Sequence, residues 1–167
     1  MTRAINSTLR SEQGQSADET LQFVTFALNG QAYCVDIMAV REIRMLETIT
    51  PVPGAPETIR GVINLRGSIV PVCDLRLRFG QGATPIQPSH PAVIVAIGGR
   101  LIGLLVDQVL DIVTVARSEV NAIPDAENGR GSPFFGGLIT QENGMLIAVD
   151  LDRMSDLRAV PEALEYA

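Results

Sequence analysis

At 167 residues with 46% hydrophobic side chains, the chain is long enough for one ordinary domain, or for two small subdomains sharing a boundary. A formal net charge of −6 disfavours nucleic acid and anionic lipid, because phosphate binding is driven chiefly by Arg and Lys. All 13 basic residues are Arg, which excludes a Schiff-base lysine or a phosphate-loop lysine.

Residues 1–19 are rich in Ser, Thr, Gln and Glu, show no period that would bury a face, and are expected to form a flexible tail. Their polarity is unlike a signal peptide, and no run of 18 apolar residues follows that would span a bilayer. Order is expected from Leu21. Leu21 to Phe26 carries β-formers, Asn29-Gly30 is a strong two-residue hairpin signal, and Tyr33 to Ile37 returns. Ala39 to Leu46 has spacing that suits a short helix, but Val40, Ile43 and Ile49-Thr50 also suit a strand, and strand is the reading taken. Pro51, Pro53 and Pro56 forbid a long element there. Glu57 to Val62 is expected to make one helical turn ended by Gly61. Ile69 to Leu75 is a buried strand with Pro71 at a bulge or an edge.

Gly80 to Ser89, rich in Gly and Pro, is the best subdomain boundary, giving units of roughly 21–85 and 91–157 within one domain over 20–157. Pro91 to Ile97, Gly98-Gly99 and Leu101 to Val106 make a second hairpin. A loop over Ala122 to Ser132 follows, then a short terminal helix beginning near Asp150, with Asp150 or Asp152 as its cap, and an acidic tail over 158–167. Many short β runs with Gly and Pro turns indicate small barrels rather than a βαβ sheet.

These elements form an imperfect duplication. Ala27-Leu28-Asn29-Gly30-Gln31, Cys34-Val35-Asp36-Ile37 and Val40-Arg41-Glu42-Ile43 return 69 positions later as Ala96-Ile97-Gly98-Gly99-Arg100, Gly103-Leu104-Leu105-Val106 and Val109-Leu110-Asp111-Ile112. Gly61-Val62-Ile63 and Ile69 to Leu75 return 76 positions later as Gly137-Leu138-Ile139 and Met145 to Leu151. Two tandem β units are implied, which suits a surface-presenting module better than a catalyst.

Catalytic chemistry finds little to use. An acid–base site needs positioned titratable groups, and the one histidine, His90, reads as an exposed linker residue. Cys34 and Cys73 sit in apolar runs without CxxC spacing and read as small buried hydrophobes, so no zinc set or disulfide framework is indicated. Asp150-x-Asp152 lacks the remaining ligands of a calcium loop. No enzyme and no cofactor are expected. The recurring acids, Glu42 with Asp111 and Asp74 with Asp150, suit strand ends and turns.

Ile59-Arg60-Gly61-Val62-Ile63-Asn64-Leu65-Arg66-Gly67 stands apart, because one turn combines apolar, amide and guanidinium groups with two glycines. Arg66 offers a rigid five-donor fork. The second copy reads Thr140-Gln141-Glu142-Asn143-Gly144 and lacks that equipment. A functional face and a plain structural pair with a carboxylate such as Glu42 both remain open on these residues.

The same residues carry a family resemblance. Phe23-Val24-Thr25-Phe26 before Asn29-Gly30, Val40-Arg41-Glu42-Ile43, the Pro56 to Gly67 segment, Val70-Pro71-Val72-x-Asp74-Leu75, Gly103 to Asp107 and Met145 to Asp150 resemble the CheW family of chemotaxis coupling proteins. The resemblance runs from about Leu21 to Leu157. It implies an all-β fold of two intertwined five-stranded SH3-like barrels with a short C-terminal helix, and a cytoplasmic scaffold without catalytic activity. The implied partners are the cytoplasmic tip of a methyl-accepting chemoreceptor and the regulatory domain of a CheA-type histidine kinase, in arrays beneath the membrane. Val40, Glu42, Gly61, Arg66, Gly103, Val109 and Gly137 match family positions implicated in coupling, with Glu42 and Arg66 as a charged pair. Alternatives are a coupler for a receptor pathway that does not drive flagella, a small-ligand sensor using a cleft between the barrels, and a piece of the kinase's own regulatory domain.

Overall fold

The structure, a computed structural model, describes residues 19–123 and 134–154. The tail expected over 1–19, the loop over 122–132 and the acidic end over 158–167 fall outside the described residues but for Glu19, Ala122 and Ile123. The first half of the chain forms β1 (Thr20–Leu28), β2 (Gln31–Asp36), a 3-10 turn (Ile37–Ala39), β3 (Val40–Leu46), β4 (Ile59–Leu65), β5 (Ser68–Asp74) and the one-turn helix α1 (Leu75–Arg78). The second half forms β6 (His90–Ile97), β7 (Arg100–Leu105), β8 (Gln108–Ala116), a 3-10 turn (Arg117–Glu119), β9 (Val120–Asn121), β10 (Phe135–Gln141) and β11 (Gly144–Val149).

The fold is mostly β, in two sheets. One has six strands in the order β8-β1-β2-β11-β10-β9, and the other has five, β3-β6-β7-β5-β4. The expected count of five therefore holds for one sheet, while the two-residue β9 adds a sixth strand to the other. Each sheet borrows the leading hairpin of the opposite copy. β3 pairs with β6, and its repeat β8 pairs with β1. β5 runs parallel to β7 at Val72↔Gly103, and β11 runs parallel to β2 at the repeat-equivalent Ala148↔Cys34. The two copies are thus intertwined through reciprocal hairpins.

This exchange explains why the hairpin strands read as nearly unbroken apolar runs: they are buried on both faces. Along β6, Val93, Val95 and Ile97 join a central cluster with Phe26, Val35, Leu104 and Met154, whereas Ala92 and Ile94 face a second cluster with Leu46, Ile63, Val72 and Leu105. On the six-stranded side a third cluster holds Phe23, Cys34, Val115, Ile139 and Leu146. One core therefore lies between the sheets, and one lies inside the curl of each. In an interior this densely packed, truncating one of the largest buried side chains costs about 2–5 kcal/mol.

The curl of the five-stranded sheet has a definite cause. β3 and β4 lie at its opposite edges, yet Thr50, four residues past the end of β3, forms an isolated bridge to Val62 in β4. Both backbone bonds, Thr50 N to Val62 O and Val62 N to Thr50 O, measure 2.9 Å. The repeat-equivalent pairing is Asn121 of β9 with Leu138 of β10.

Several local expectations are corrected. Glu57 to Val62 is not a helical turn: Ile59 N donates to Pro56 O at 2.9 Å in a tight turn, and β4 starts at Ile59. Gly61 lies inside that strand, at a bulge opposite Val72 and Cys73. Pro71 occupies neither a bulge nor an edge strand; it sits in interior β5, one residue before the parallel ladder with β7 begins. His90 is buried at the start of β6, where its Nε2 accepts from Gln87 N at 3.4 Å. Near Asp150, residues 151–154 form one 3-10 turn, and the Asp150 side chain accepts from Asp152 N at 3.1 Å.

Candidate interaction face

The β4–β5 hairpin turn is Arg66-Gly67, closed between Leu65 and Ser68. Both residues have positive φ, 51° and 89°, the backbone of a type I′ turn. Gly67 adopts this conformation freely, but Arg66 does so at a cost of about 1 kcal/mol. Asn64 braces the turn, its Oδ1 accepting from Gly67 N at 2.8 Å. Together they aim the Arg66 side chain outward, where it is 69% exposed.

Arg66 meets β3 there. Its Nη2 donates to Oε2 of Glu42, while Arg44 Nη1 donates to Oε1 of the same carboxylate at 3.2 Å. The Arg66 hydrogen bond, helped by Arg44, holds the Glu42 carboxyl below its usual range, and Glu42 in turn raises the Arg66 guanidinium. Two guanidinium groups thus share one carboxylate, and the cluster keeps a net positive charge with N–H donors in excess. Ile43 and Met45 of β3 and Ile69 of β5 are exposed. Beside the cluster, Arg44, Met45, Thr50, Ile63 and Asn64 help line a groove of about 560 Å³ between the two edges of the sheet.

The other residues singled out from the sequence fall elsewhere. Val40 and its repeat Val109 are half-buried, pack against the core between the sheets, and each precedes a bulge, at Arg41 and Leu110. Gly103 is packed inside the five-stranded sheet, where a Cβ would lie 3.3 Å from Ile94 Cδ1. Gly61 and Gly137 sit at matching bulges under the closing segments. A Cβ on Gly61 would lie 2.7 Å from the Thr50 carbonyl carbon and closer still to its oxygen; on Gly137 it would lie 2.8 Å from Val120 Cγ1 and 3.2 Å from Asn121 O. The structure therefore brings Glu42 and Arg66 together, places Gly61 under Thr50 farther back along β4, and leaves Val109 and Gly137 on the other sheet.

The second copy is built differently at the matching place. Asp111 replaces Glu42 and accepts from Ile112 N at 2.7 Å, and Glu142 stands where the first copy has Arg66.

Sequence reading missed Arg44 and two internal clamps. Asp74 is fully buried and accepts from Arg60 Nη1 at 2.8 Å, from Thr84 N at 2.9 Å and Thr84 Oγ1 at 2.7 Å, and from Leu77 N at 3.4 Å. Burial alone would raise its carboxyl, but these bonds outweigh burial and hold it below the usual range. Asp107 accepts from Arg76 Nε at 2.8 Å and from Asn29 N at 2.8 Å, tying the β1–β2 turn to α1. The alternation of Arg44 with Glu42 on one face of a strand was the available signal for the first; the clamps join residues too far apart in sequence to show one. The Cys34 thiol, pushed up to about 12 by burial, stays protonated and unreactive.

Comparison with known proteins agrees with this geometry. The profile of the CheW-like domain matches residues 22–159. A chemotaxis protein CheW of Rhizobium meliloti (strain 1021) is 38% identical over 131 residues, 78% of this chain and 84% of that protein. The chemotaxis protein CheW of Bacillus subtilis (strain 168) is 32% identical over 145 residues, 84% of this chain and 93% of its own length. Among solved structures, the scaffolding protein TtCheW from Thermoanaerobacter tengcongensis superposes with a TM-score of 0.69 at 32% identity, covering 77% of this chain and 88% of that one. By its reciprocally exchanged β units and by these likenesses, the chain belongs to the CheW-like domain family, the non-catalytic scaffolds of chemotaxis signalling.

Proposed function

We propose that this chain is the adaptor that joins the cytoplasmic tip of a chemoreceptor to the regulatory domain of a CheA-type histidine kinase, held in cytoplasmic arrays beneath the membrane by its protein partners. The curled sheets are read as the two SH3-like barrels of such an adaptor. One observation carries the proposal: among the described residues, only the first copy of a duplicated hairpin presents an outward guanidinium–carboxylate network, with exposed Ile43, Met45 and Ile69 on the strands that bear it.

That combination suits protein recognition. Apolar side chains supply a small anchor, and the charged groups set register and partner choice more than net affinity. A strained arginine kept where Asn or Gly would fit the turn better supports a use beyond the fold. The sensor reading needs an apolar cavity between the sheets, and that space is filled by Phe26, Ile97, Leu104 and Met154.

The test is capture of kinase and receptor cytoplasmic fragments by the wild type and by Arg66→Ala, with circular dichroism alongside. The adaptor reading expects binding of both by the wild type and about tenfold weaker capture by a folded variant, the scale of one charge-assisted contact. Joint loss of fold and binding would make Arg66 structural only.

A further inference from the structure

We infer that Gly61 is a positioning residue for Arg66: it lets the chain leaving β3 cross directly over β4, and that crossing sets the distance between Glu42 and the turn that carries Arg66.

Glu42 lies in β3 and Arg66 in the turn that follows β4, strands at opposite edges of a five-stranded sheet, so the ladder between those edges runs through three intervening strands. The short route is the Thr50–Val62 bridge, whose two hydrogen bonds of 2.9 Å join the edges backbone to backbone. Gly61 directly precedes Val62, has a φ of +153°, and lies beneath the Thr50 carbonyl. A methyl group at position 61 meets rigid backbone rather than the tip of a side chain, so either the bridge opens or β4 shifts. Both movements carry the β4–β5 turn, and Arg66 with it, away from Glu42.

The second copy supplies the contrast. Gly137 occupies the matching bulge and lies under Val120 and Asn121, but the turn beyond it holds Glu142 instead of an arginine. The crossing belongs to the fold of both copies; in the first, a functional side chain depends on it. The inference rests on the adaptor reading for its consequence in binding, but not for its geometry.

The experiment titrates the Glu42 carboxyl by NMR in the wild type, Arg66→Ala, Gly61→Ala and Gly137→Ala. In the wild type it titrates below its ordinary 4.5 because Arg66 bonds to it. Arg66→Ala should move the midpoint part of the way back, since Arg44 still holds the other oxygen. Gly61→Ala should move it in the same direction, while Gly137→Ala leaves it in place. Partner capture should fall about as far in Gly61→Ala as in Arg66→Ala, and the double variant should bind no more than about twofold worse than Arg66→Ala alone. Thr50→Pro, which removes one bridge hydrogen bond without a methyl group at 61, must give the same titration if Gly61→Ala does not fold. A Glu42 midpoint unchanged in folded Gly61→Ala, or strictly additive losses of capture, would overturn the inference. A shifted midpoint with no capture by the wild type would uphold the positioning and reject the partners.

Discussion

Thr50 and Val62 exchange both backbone hydrogen bonds at 2.9 Å although Val62 lies in one edge strand, β4, and Thr50 follows β3, the strand at the opposite edge. The contact is possible because the residue before Val62 has no side chain. It separates two kinds of glycine in this chain: those needed only for their φ angle, and those needed for the space above them.

The first prediction follows from that distinction. Gly30 has a φ of +82°, and a methyl group added there would find nothing within 4 Å, so Gly30→Ala should cost only conformational strain, about 1 kcal/mol. Gly61→Ala adds a backbone collision and should cost about 2–3 kcal/mol. Urea denaturation of the two variants side by side checks the ordering.

Arg66→Asn separates stability from function. Asn-Gly is the preferred pair for a type I′ turn, so the variant should be as stable as the wild type or more stable by about 0.5 kcal/mol. It removes the guanidinium that reaches Glu42, and capture of receptor or kinase fragments should fall about tenfold. Thermal denaturation and binding on the same preparation test both halves.

Asp74 governs part of the acid stability. Its native carboxyl lies below the ordinary 3.8, so its contribution is complete above that value and is lost as pH falls through the lower native one. Asp74→Asn leaves Arg60 without its carboxylate partner and should destabilise the protein by about 3 kcal/mol at neutral pH. The variant should also show a flatter loss of stability below about pH 4, read from denaturant midpoints across an acid series.

Cys34 and Cys73 are both buried, and burial pushes the Cys34 thiol up to about 12. Neither should react with an exposed-thiol reagent at pH 8 in the native protein, and both should label in step with unfolding. Labelling that outpaces unfolding would reveal local opening of β2 or β5.

Much of the fold was legible because the duplication preserves spacing. The Asn29-Gly30 and Gly98-Gly99 hairpins, the β3 strand and the strand-ending acids Asp74 and Asp150 follow from turn chemistry and repeat register, whereas Glu42 and Asp111 lie inside β3 and β8 rather than at a strand end. Local signals misled where a long-range contact decides the conformation. Glu57 to Val62 looks like a helix start, but β4 is drawn out by pairing with β5 and by the Thr50 bridge. His90 looks like linker, yet its register opposite Leu46 buries it at the head of β6. At the candidate face, Arg66 was visible as chemistry out of place in a turn. The role of Gly61 was not, because it depends on which strands meet when the sheet curls; Arg44 was readable only from its alternation with Glu42 along β3.

The most direct measurement immobilises receptor cytoplasmic fragments and follows retention of a CheA-type kinase as this chain is added. The account predicts little kinase bound without the chain, retention that rises as it is added, and a markedly weaker rise with Arg66→Asn. Retention that does not depend on the chain, or a folded Arg66→Asn variant that bridges as well as the wild type, would contradict it.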